Sequence, residues 1–286
     1  MSERIDAHHH LWRYAREEYS WIGENMGTLA RDFLLADLQS MLSQCGIQGS
    51  VVVQARQAVE ETNWLLELAE GSEFIRGVVG WAPIASAEFE SVLENFRLNK
   101  KLKGLRHVVQ DEPDPEFLLR ADFNRGVALL KQYRLTYDIL IYERHLPATL
   151  AFVDRHPAQV FVLDHMAKPR IREHQLEPWS ANIRELAKRE NVYCKISGMV
   201  TEADWECWSH EDLRPYFDVV LDAFGPRRLM AGSDWPVCLL AATPQRWFSV
   251  VQEFIQSLSV AEKEMILGGV ASEVYSLSEK TGLQIG

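Results

Sequence analysis

Residues 4–12 read RIDAHHHLW, which places Asp6, His8, His9 and His10 within five positions directly after Ile5. Three histidines together suggest an affinity tag, a metal site or satisfied pieces of core. A tag is an uninterrupted run at the extreme end of a chain, whereas this cluster is set between Ile5 and Leu11 in what reads as a short strand. Side chains two apart on a strand share a face. His8 and His10 are therefore expected to point one way with Asp6 in register beneath them, and His9 to point away, packed or hydrogen-bonded outside. Paired imidazoles at the carboxyl end of a strand suit zinc or a related divalent ion, or hold a substrate oxygen.

The fold follows from what repeats after this stretch. Apolar runs recur at 49–54 (GSVVVQ), 75–81 (IRGVVGW), 101–106 (KLKGLR), 135–142 (LTYDILIY), 159–164 (QVFVLD), 191–197 (NVYCKIS) and 227–234 (RRLMAGSD). With residues 4–8 they make eight strands, rich in branched and aromatic side chains rather than alternating, as expected of a parallel sheet covered on both faces. Helical spacing lies between them: Leu38, Met41, Leu42 and Cys45 mark one face, and Phe89, Val92, Leu93 and Phe96 another. Ser209 with Asp212 three residues on, and Thr243 followed by Pro244, read as helix starts. The alternation predicts a single (β/α)8 barrel domain over residues 1–286, with an open doubly wound sheet as the competing α/β architecture. Neither a GxGxxG fingerprint nor a P-loop occurs, so a nucleotide reading has no motif under it.

Composition narrows the partners. At 286 residues and 47% hydrophobic the chain can bury a large core, and 30 basic against 41 acidic residues give a net charge of -11. That balance disfavours nucleic acid or an anionic membrane as the main partner. Cys45, Cys194, Cys207 and Cys238 form no CxxC pair, which argues against a zinc knuckle or disulfide scaffold and for reduced thiols. No apolar run approaches the roughly 20 residues of a membrane span, and the beginning of the sequence does not read as a signal peptide. The expectation is a cytoplasmic protein.

Two further strand ends carry chemistry. His165 follows VFVLD with Lys168 in the loop, although Asp164 capping the loop and His165 filling a polar niche is the structural alternative. Asp234 ends RRLMAGSD, where a carboxylate can ligate a metal or take a proton from water, or simply form an Asx turn in GSDWP. A closed barrel would bring these ends to one mouth.

The ordered set DAHHHLW, GLRH, LDHMAKP, KISGMVTEA and GSDWPV resembles the amidohydrolase superfamily, in its amidohydrolase-2 branch of sugar lactonases, across almost the full chain. The resemblance implies a distorted (β/α)8 TIM barrel. It also implies catalytic roles for His8 and His10 as the first-strand HxH pair, for His165, and for Asp234 as the activator of water. Two-metal members add a bridging lysine or glutamate near the fourth strand and a histidine after the fifth. Here GLRH ends the fourth, and the fifth contains Asp138 but no histidine. The implied cofactor is therefore none or one divalent ion on His8, His10, His165 and Asp234, zinc first among the candidates.

The implied activity is hydrolysis of a small sugar lactone, of L-fucono or L-rhamnono type, to the aldonic acid. Arg106, His107, Lys195, Asp138, Tyr142, Trp12 and Trp235 are the expected substrate contacts. Lys195 would need a counter-charge if it faces the barrel, and the aromatics could pack against a sugar ring. Trp205 and Glu202 are weaker candidates. Rival readings are a metal-dependent decarboxylase of an aromatic or unsaturated acid and a non-catalytic sugar-acid binding protein, and assembly as a homo-oligomer stays open.

Overall fold

The computed structural model describes residues 3–277. Its strands are β1 (Ile5–His9), β2 (Gly49–Val53), β3 (Ile75–Gly80), β4 (Leu102–Val108), β5 (Thr136–Leu140), β6 (Phe161–Leu163), β7 (Val192–Ile196) and β8 (Leu229–Ala231). They pair in chain order, every pair parallel. Between β1 and β6 stand helices α1 (Leu35–Cys45), α2 (Val59–Glu70), α3 (Phe89–Phe96), α4 (Ala121–Leu130) and α5 (Leu146–Arg155). Then come α6 (Trp179–Leu186), α7 (Met199–Glu202), α8 (His210–Phe224), α9 (Pro244–Phe254), α10 (Val260–Glu264) and α11 (Val270–Val274). The fold is a (β/α)8 barrel, and all eight strands lie where the apolar runs place them.

Local chemistry explains the helix starts. Asp212 accepts from the backbone N–H of Ser209 at 2.8 Å and from its hydroxyl at 2.9 Å, which fixes the start of α8. At α9, Thr243 accepts from the N–H of Arg246 at 3.3 Å and Pro244 occupies the first helical position.

Strand side chains divide between two buried clusters. Val52, Val78, Leu105, Ile139, Leu163 and Ile196 face outward and pack with helix residues such as Leu38, Leu65, Leu93, Phe152 and Phe217. Ile5, Ala7, Val51, Val53, Val79, Val162 and Met230 form the inner cluster, joined by Val270, Ala271 and Tyr275 from the α11 segment. At roughly 1.5–3 kcal/mol for each large apolar side chain fully buried, these layers dominate the stability of the fold. The inner layer is apolar at the base; above it the barrel interior turns polar.

Closure is made at the mouth. β1 and β8 are joined by backbone bonds beyond the end of β8: Asp234 N–H donates to the His8 carbonyl at 2.8 Å and His10 N–H to the Trp235 carbonyl at 2.7 Å. His8, His10 and Asp234 are thus also the clasp of the barrel.

The alternation expected of β1 needs one correction. The register with β2 slips between Asp6 and His9, so an extra residue is accommodated there. Ala7 joins the inner apolar cluster, and Asp6 does not lie beneath the two imidazoles. Its carboxylate accepts instead from Ser233 N–H at 2.8 Å, Ser233 Oγ at 2.6 Å and His8 N–H at 3.1 Å. His9 points away as expected, with Nε2 3.0 Å from Ser50 Oγ.

Candidate active site

The slip in β1 aims His8 and His10 at the mouth. His10 Nδ1 lies 2.8 Å from the Val53 carbonyl, which can only accept, so Nδ1 carries a proton and Nε2 faces the mouth. His8 Nε2 is 3.2 Å from that atom, and at its other side His8 Nδ1 is 3.2 Å from Lys195 Nζ and 3.4 Å from Asp164 Oδ1. Gly232 makes this approach fit, because a β-carbon there would stand 2.8 Å from the His8 Cβ. Burial holds the His8 imidazole well below its ordinary range, Lys195 and His165 adding to the effect against the pull of Asp164.

β6 delivers Asp164 and His165, and its exit is unusual. His165, Met166, Ala167 and Lys168 all have φ between 46° and 61°, a left-handed turn without a glycine. Each such residue costs roughly 1–2 kcal/mol, so the turn persists only because its surroundings over-determine it. His165 Nδ1 is 2.8 Å from Ser197 Oγ, and Gly198 leaves the space its ring fills. Burial lowers the His165 pKa to about 4.

Asp234 completes the group, also at positive φ, 56°. Its Oδ1 stands 3.5 Å from His10 Nε2 and 3.8 Å from Nε2 of both His8 and His165. Burial alone would raise this carboxyl, but His165 and the His10 hydrogen bond outweigh it and hold the pKa below the usual value. Asp234 is thus ionised at neutral pH.

Beneath these groups lies a buried ionic network. Arg106 donates from Nη1 to Asp164 Oδ2 at 2.9 Å and from Nη2 to the Gln54 carbonyl, leaving Nε–H as a buried donor without a hydrogen-bond partner among the described residues. Lys195 Nζ bridges Asp164 Oδ1 at 2.9 Å and Asp138 Oδ2 at 2.6 Å. The Tyr275 hydroxyl also donates to Asp138 Oδ2 at 2.6 Å, and Thr136 Oγ1 to Asp138 Oδ1 at 3.0 Å. Burial pushes the Asp138 carboxyl up, yet three donors converge on its two oxygens, an arrangement suited to the ionised form. Two carboxylates and two cations balance, which is what lets four charges stay out of water.

A cavity of about 610 Å³ opens above, with His10, Arg106, His165 and Asp234 among its lining residues and Tyr142, Lys168, Glu202 and Trp205 on its wall. Lys168 Nζ is 3.8 Å from Glu202 Oε1 and 5.4 Å from the centre of the Tyr142 ring. A monosaccharide fits within such a volume.

The donor set suits one divalent ion. Ligands sharing a tetrahedral ion at metal–ligand distances of 2.0–2.1 Å stand about 3.4 Å apart, and the separations among His8 Nε2, His10 Nε2 and Asp234 Oδ1 are 3.2, 3.5 and 3.8 Å. His165 Nε2 stands 3.8 Å from Asp234 Oδ1, beside this group of three. A second group, His8, Asp164 and His165, brings one ligand atom from each to within 4.8 Å of the others. It shares two of these side chains, and Lys195 and Arg106 already occupy its carboxylate.

Five expected substrate contacts stand elsewhere. His107 is next to Arg106 on β4, so the pleat turns it outward to pair with Glu112 at 2.6 Å and stack on Phe117. Trp12 is fully buried beside Phe33 and Tyr19, its Nε1 donating to the Arg31 carbonyl at 2.9 Å. Trp235 packs edge-on against Phe33. Asp138 and Lys195 are wholly buried in the ionic network, so they support the site from below rather than line the cavity. Tyr142 and Arg106 do line it. Glu202 and Trp205, weak candidates in the sequence, also line it, and Ser197 and Asp164 carried no signal beyond their places at strand ends.

Residues 5–277 match the profile of a family described as amidohydrolase. An L-fucono-1,5-lactonase of Burkholderia multivorans is 45% identical over 96% of this chain and 97% of that one. Another of the same name from Burkholderia ambifaria is 34% identical over 99% of each chain. A crystal structure of a B. multivorans amidohydrolase with bound zinc superposes with a TM-score of 0.93 at 45% identity, covering 97% of this chain and 100% of that one.

Proposed function

Because the chain belongs to the amidohydrolase family, we propose that its mouth hydrolyses a sugar lactone to the aldonic acid, L-fuconolactone foremost among the substrates. The observation that carries this reading is one ionised carboxylate, Asp234, ringed by three imidazoles at the cavity floor with an arginine beside them.

Asp234 takes the proton of water as the water oxygen attacks the ring carbonyl. Negative charge then builds on the carbonyl oxygen, where the Arg106 guanidinium on the cavity lining can stabilise it. The C–O bond of the ring breaks, and the proton held by Asp234 passes to the departing alkoxide, which leaves as a hydroxyl. The new carboxylic acid ionises and releases one proton to solvent. Tyr142, Lys168, Glu202 and Trp205 are placed to meet the sugar hydroxyls and ring face.

His8, His10, His165 and Asp234 would hold a single divalent ion, zinc the first to test, which when bound supplies Lewis acidity to the carbonyl oxygen and acidity to water. The four cysteines are free, which supports a cytoplasmic home. Among the described residues no helix is long and apolar enough to cross a membrane.

The test is a panel of aldonolactones in a proton-release assay, run on chelated and on metal-supplemented protein. Turnover of a six-carbon or 6-deoxy sugar lactone is the expected result. No lactone turnover beside decarboxylation of an unsaturated acid would overturn the reading, and tight binding of aldonates without turnover would point to a binding protein.

A further inference from the structure

The left-handed turn after β6 delivers two side chains to the cavity. His165 and Lys168, at its ends, line the wall, whereas Met166 and Ala167 between them are wholly buried. Positive φ persists to the last of the four, 46° at Lys168, although the residues that seat the His165 ring, Ser197 and Gly198, act on the first. Backbone strain of this kind gathers where a side chain is needed in one place. The rest of the turn is braced as well: Lys168 N–H donates to the His165 carbonyl at 2.8 Å and Trp179 Nε1 to the Met166 carbonyl at 2.7 Å.

Three lysine or arginine side chains border the cavity, Arg56, Arg106 and Lys168, and two of them are committed. Arg56 Nη1 is 2.7 Å from Glu18 Oε2, and Arg106 Nη1 is 2.9 Å from Asp164 Oδ2. Lys168 Nζ has no hydrogen-bond acceptor among the described residues; Glu202 Oε1 stands 3.8 Å away and the centre of the Tyr142 ring 5.4 Å. Its three N–H groups are there to be given. The charge is felt at the cavity floor. Burial chiefly lowers the His165 pKa and Lys168 adds to that effect, while at Asp234, where burial pushes up, Lys168 is among the groups that pull down.

Hydrolysis of a lactone leaves one developing charge for such a cation to meet. The carbonyl oxygen is turned to Arg106 and the attacking water to Asp234. When the tetrahedral adduct collapses, the bond from the carbonyl carbon to the ring oxygen breaks and its electron pair stays on that oxygen. A sugar alkoxide is strongly basic and departs slowly unless a preorganised donor meets it. With the carbonyl oxygen and the water directed to the floor, the ring oxygen is turned to the wall, where Lys168 stands.

We propose that Lys168 is a further catalytic residue, its ammonium donating a hydrogen bond to the ring oxygen as the C–O bond breaks. It gives up no proton of its own: the alkoxide becomes a hydroxyl with the proton that the attacking water lost. This role rests on the lactonase reading.

The test compares K168M and K168A with the wild-type full chain on the best aldonolactone of the panel, thermal melting showing which variants are folded. The kcat of K168M should fall roughly 100-fold, the order lost with one preorganised donor to a developing oxyanion, with KM within about threefold. n-Propylammonium, which replaces the atoms that K168A removes, should restore part of that variant's rate above an enzyme-free blank, and n-propanol should not. This keeps the role testable if K168M does not fold. With 18O at the ring position of the lactone, the isotope effect on kcat/KM should rise in either variant, because cleavage of that bond becomes rate-limiting. A rise in KM at constant kcat would make Lys168 a holder of sugar hydroxyls alone and overturn the proposal, as would an unchanged isotope effect in a slowed variant. Parental kcat in a folded variant overturns the role and leaves the lactonase reading standing, whereas absence of lactone turnover in the wild type overturns both.

Discussion

A β-carbon at Gly198 would stand 2.6 Å from Nδ1 of His165, inside the ring's own contact distance. With φ at 65°, Gly198 also occupies backbone space that a side chain enters only at a cost. The ring and the glycine therefore fix each other. G198A is expected to displace His165 and reduce lactone hydrolysis by about 100-fold, the order of loss that a misplacement near 1 Å produces. Thermal melting alongside the kinetics checks it, and a folded variant with parental kcat would show that the ring can move without consequence.

Asp234→Asn keeps the shape of the proposed base and removes its capacity to accept a proton. The expected fall in kcat is roughly 100- to 10,000-fold, or about 3–5 kcal/mol in the barrier. Binding of the aldonate product, measured by calorimetry, should persist. Similar saturated rates for the folded variant and the parent, with chemistry limiting the parent, would rule out Asp234 as the base.

The metal content should not exceed one divalent ion per chain. The only two candidate groups among the described residues share His8, and the Lys195 ammonium 3.2 Å from His8 Nδ1 repels a second cation there. Elemental analysis of undepleted protein, repeated after loading with zinc, gives the number. Two tightly held ions would mean that Lys195 and Arg106 release Asp164, contrary to their ion pairs in the structure.

Glu61 makes stability depend on pH. Its carboxylate accepts from the N–H groups of Ala55 and Arg56 at 2.9 and 3.0 Å and from the Tyr19 hydroxyl at 3.1 Å, anchoring the loop after β2 that borders the cavity. Burial pushes its pKa up to about 7, against roughly 4.3 in the unfolded chain. Between those values the folded chain holds a proton that the unfolded chain has released. The contribution of Glu61 is therefore greatest at low pH and falls as pH rises through this window, by about 4 kcal/mol. E61Q should flatten that part of the curve. Urea titrations at pH 4.5 and 7.5 measure it, and parallel curves for parent and variant would contradict the shift.

The parts of the fold that could be read from the sequence were those set by local pattern. Buried parallel strands are apolar runs whatever their neighbours, so all eight strands were legible, as were the starts of α8 and α9 with their capping residues. The slip in β1 was not, because nothing in IDAHH marks the extra residue and it is imposed by pairing with β2 and the clasp to Asp234. The left-handed turn at His165–Lys168 was hidden too. HMAK is ordinary sequence for a right-handed turn, and the constraint that reverses it sits at Ser197 and Gly198, on the next strand's exit. His107 shows the opposite case: strand alternation alone separates it from Arg106, and the resemblance of GLRH to a family motif drew both toward the site.

The clasp of the barrel has a consequence for biosynthesis. His8 through His10 stand some 225 positions before Asp234 and Trp235, and their backbone bonds, with those of Ser233 to Asp6 and to the His8 carbonyl, tie the two edges of the sheet together. Until the ribosome has released the segment beyond residue 235, the nascent chain has an open edge and lacks the proposed base, Asp234. Turnover therefore begins only when the ring of strands shuts, and the appearance of activity during synthesis or refolding is a clock for the closing of the barrel.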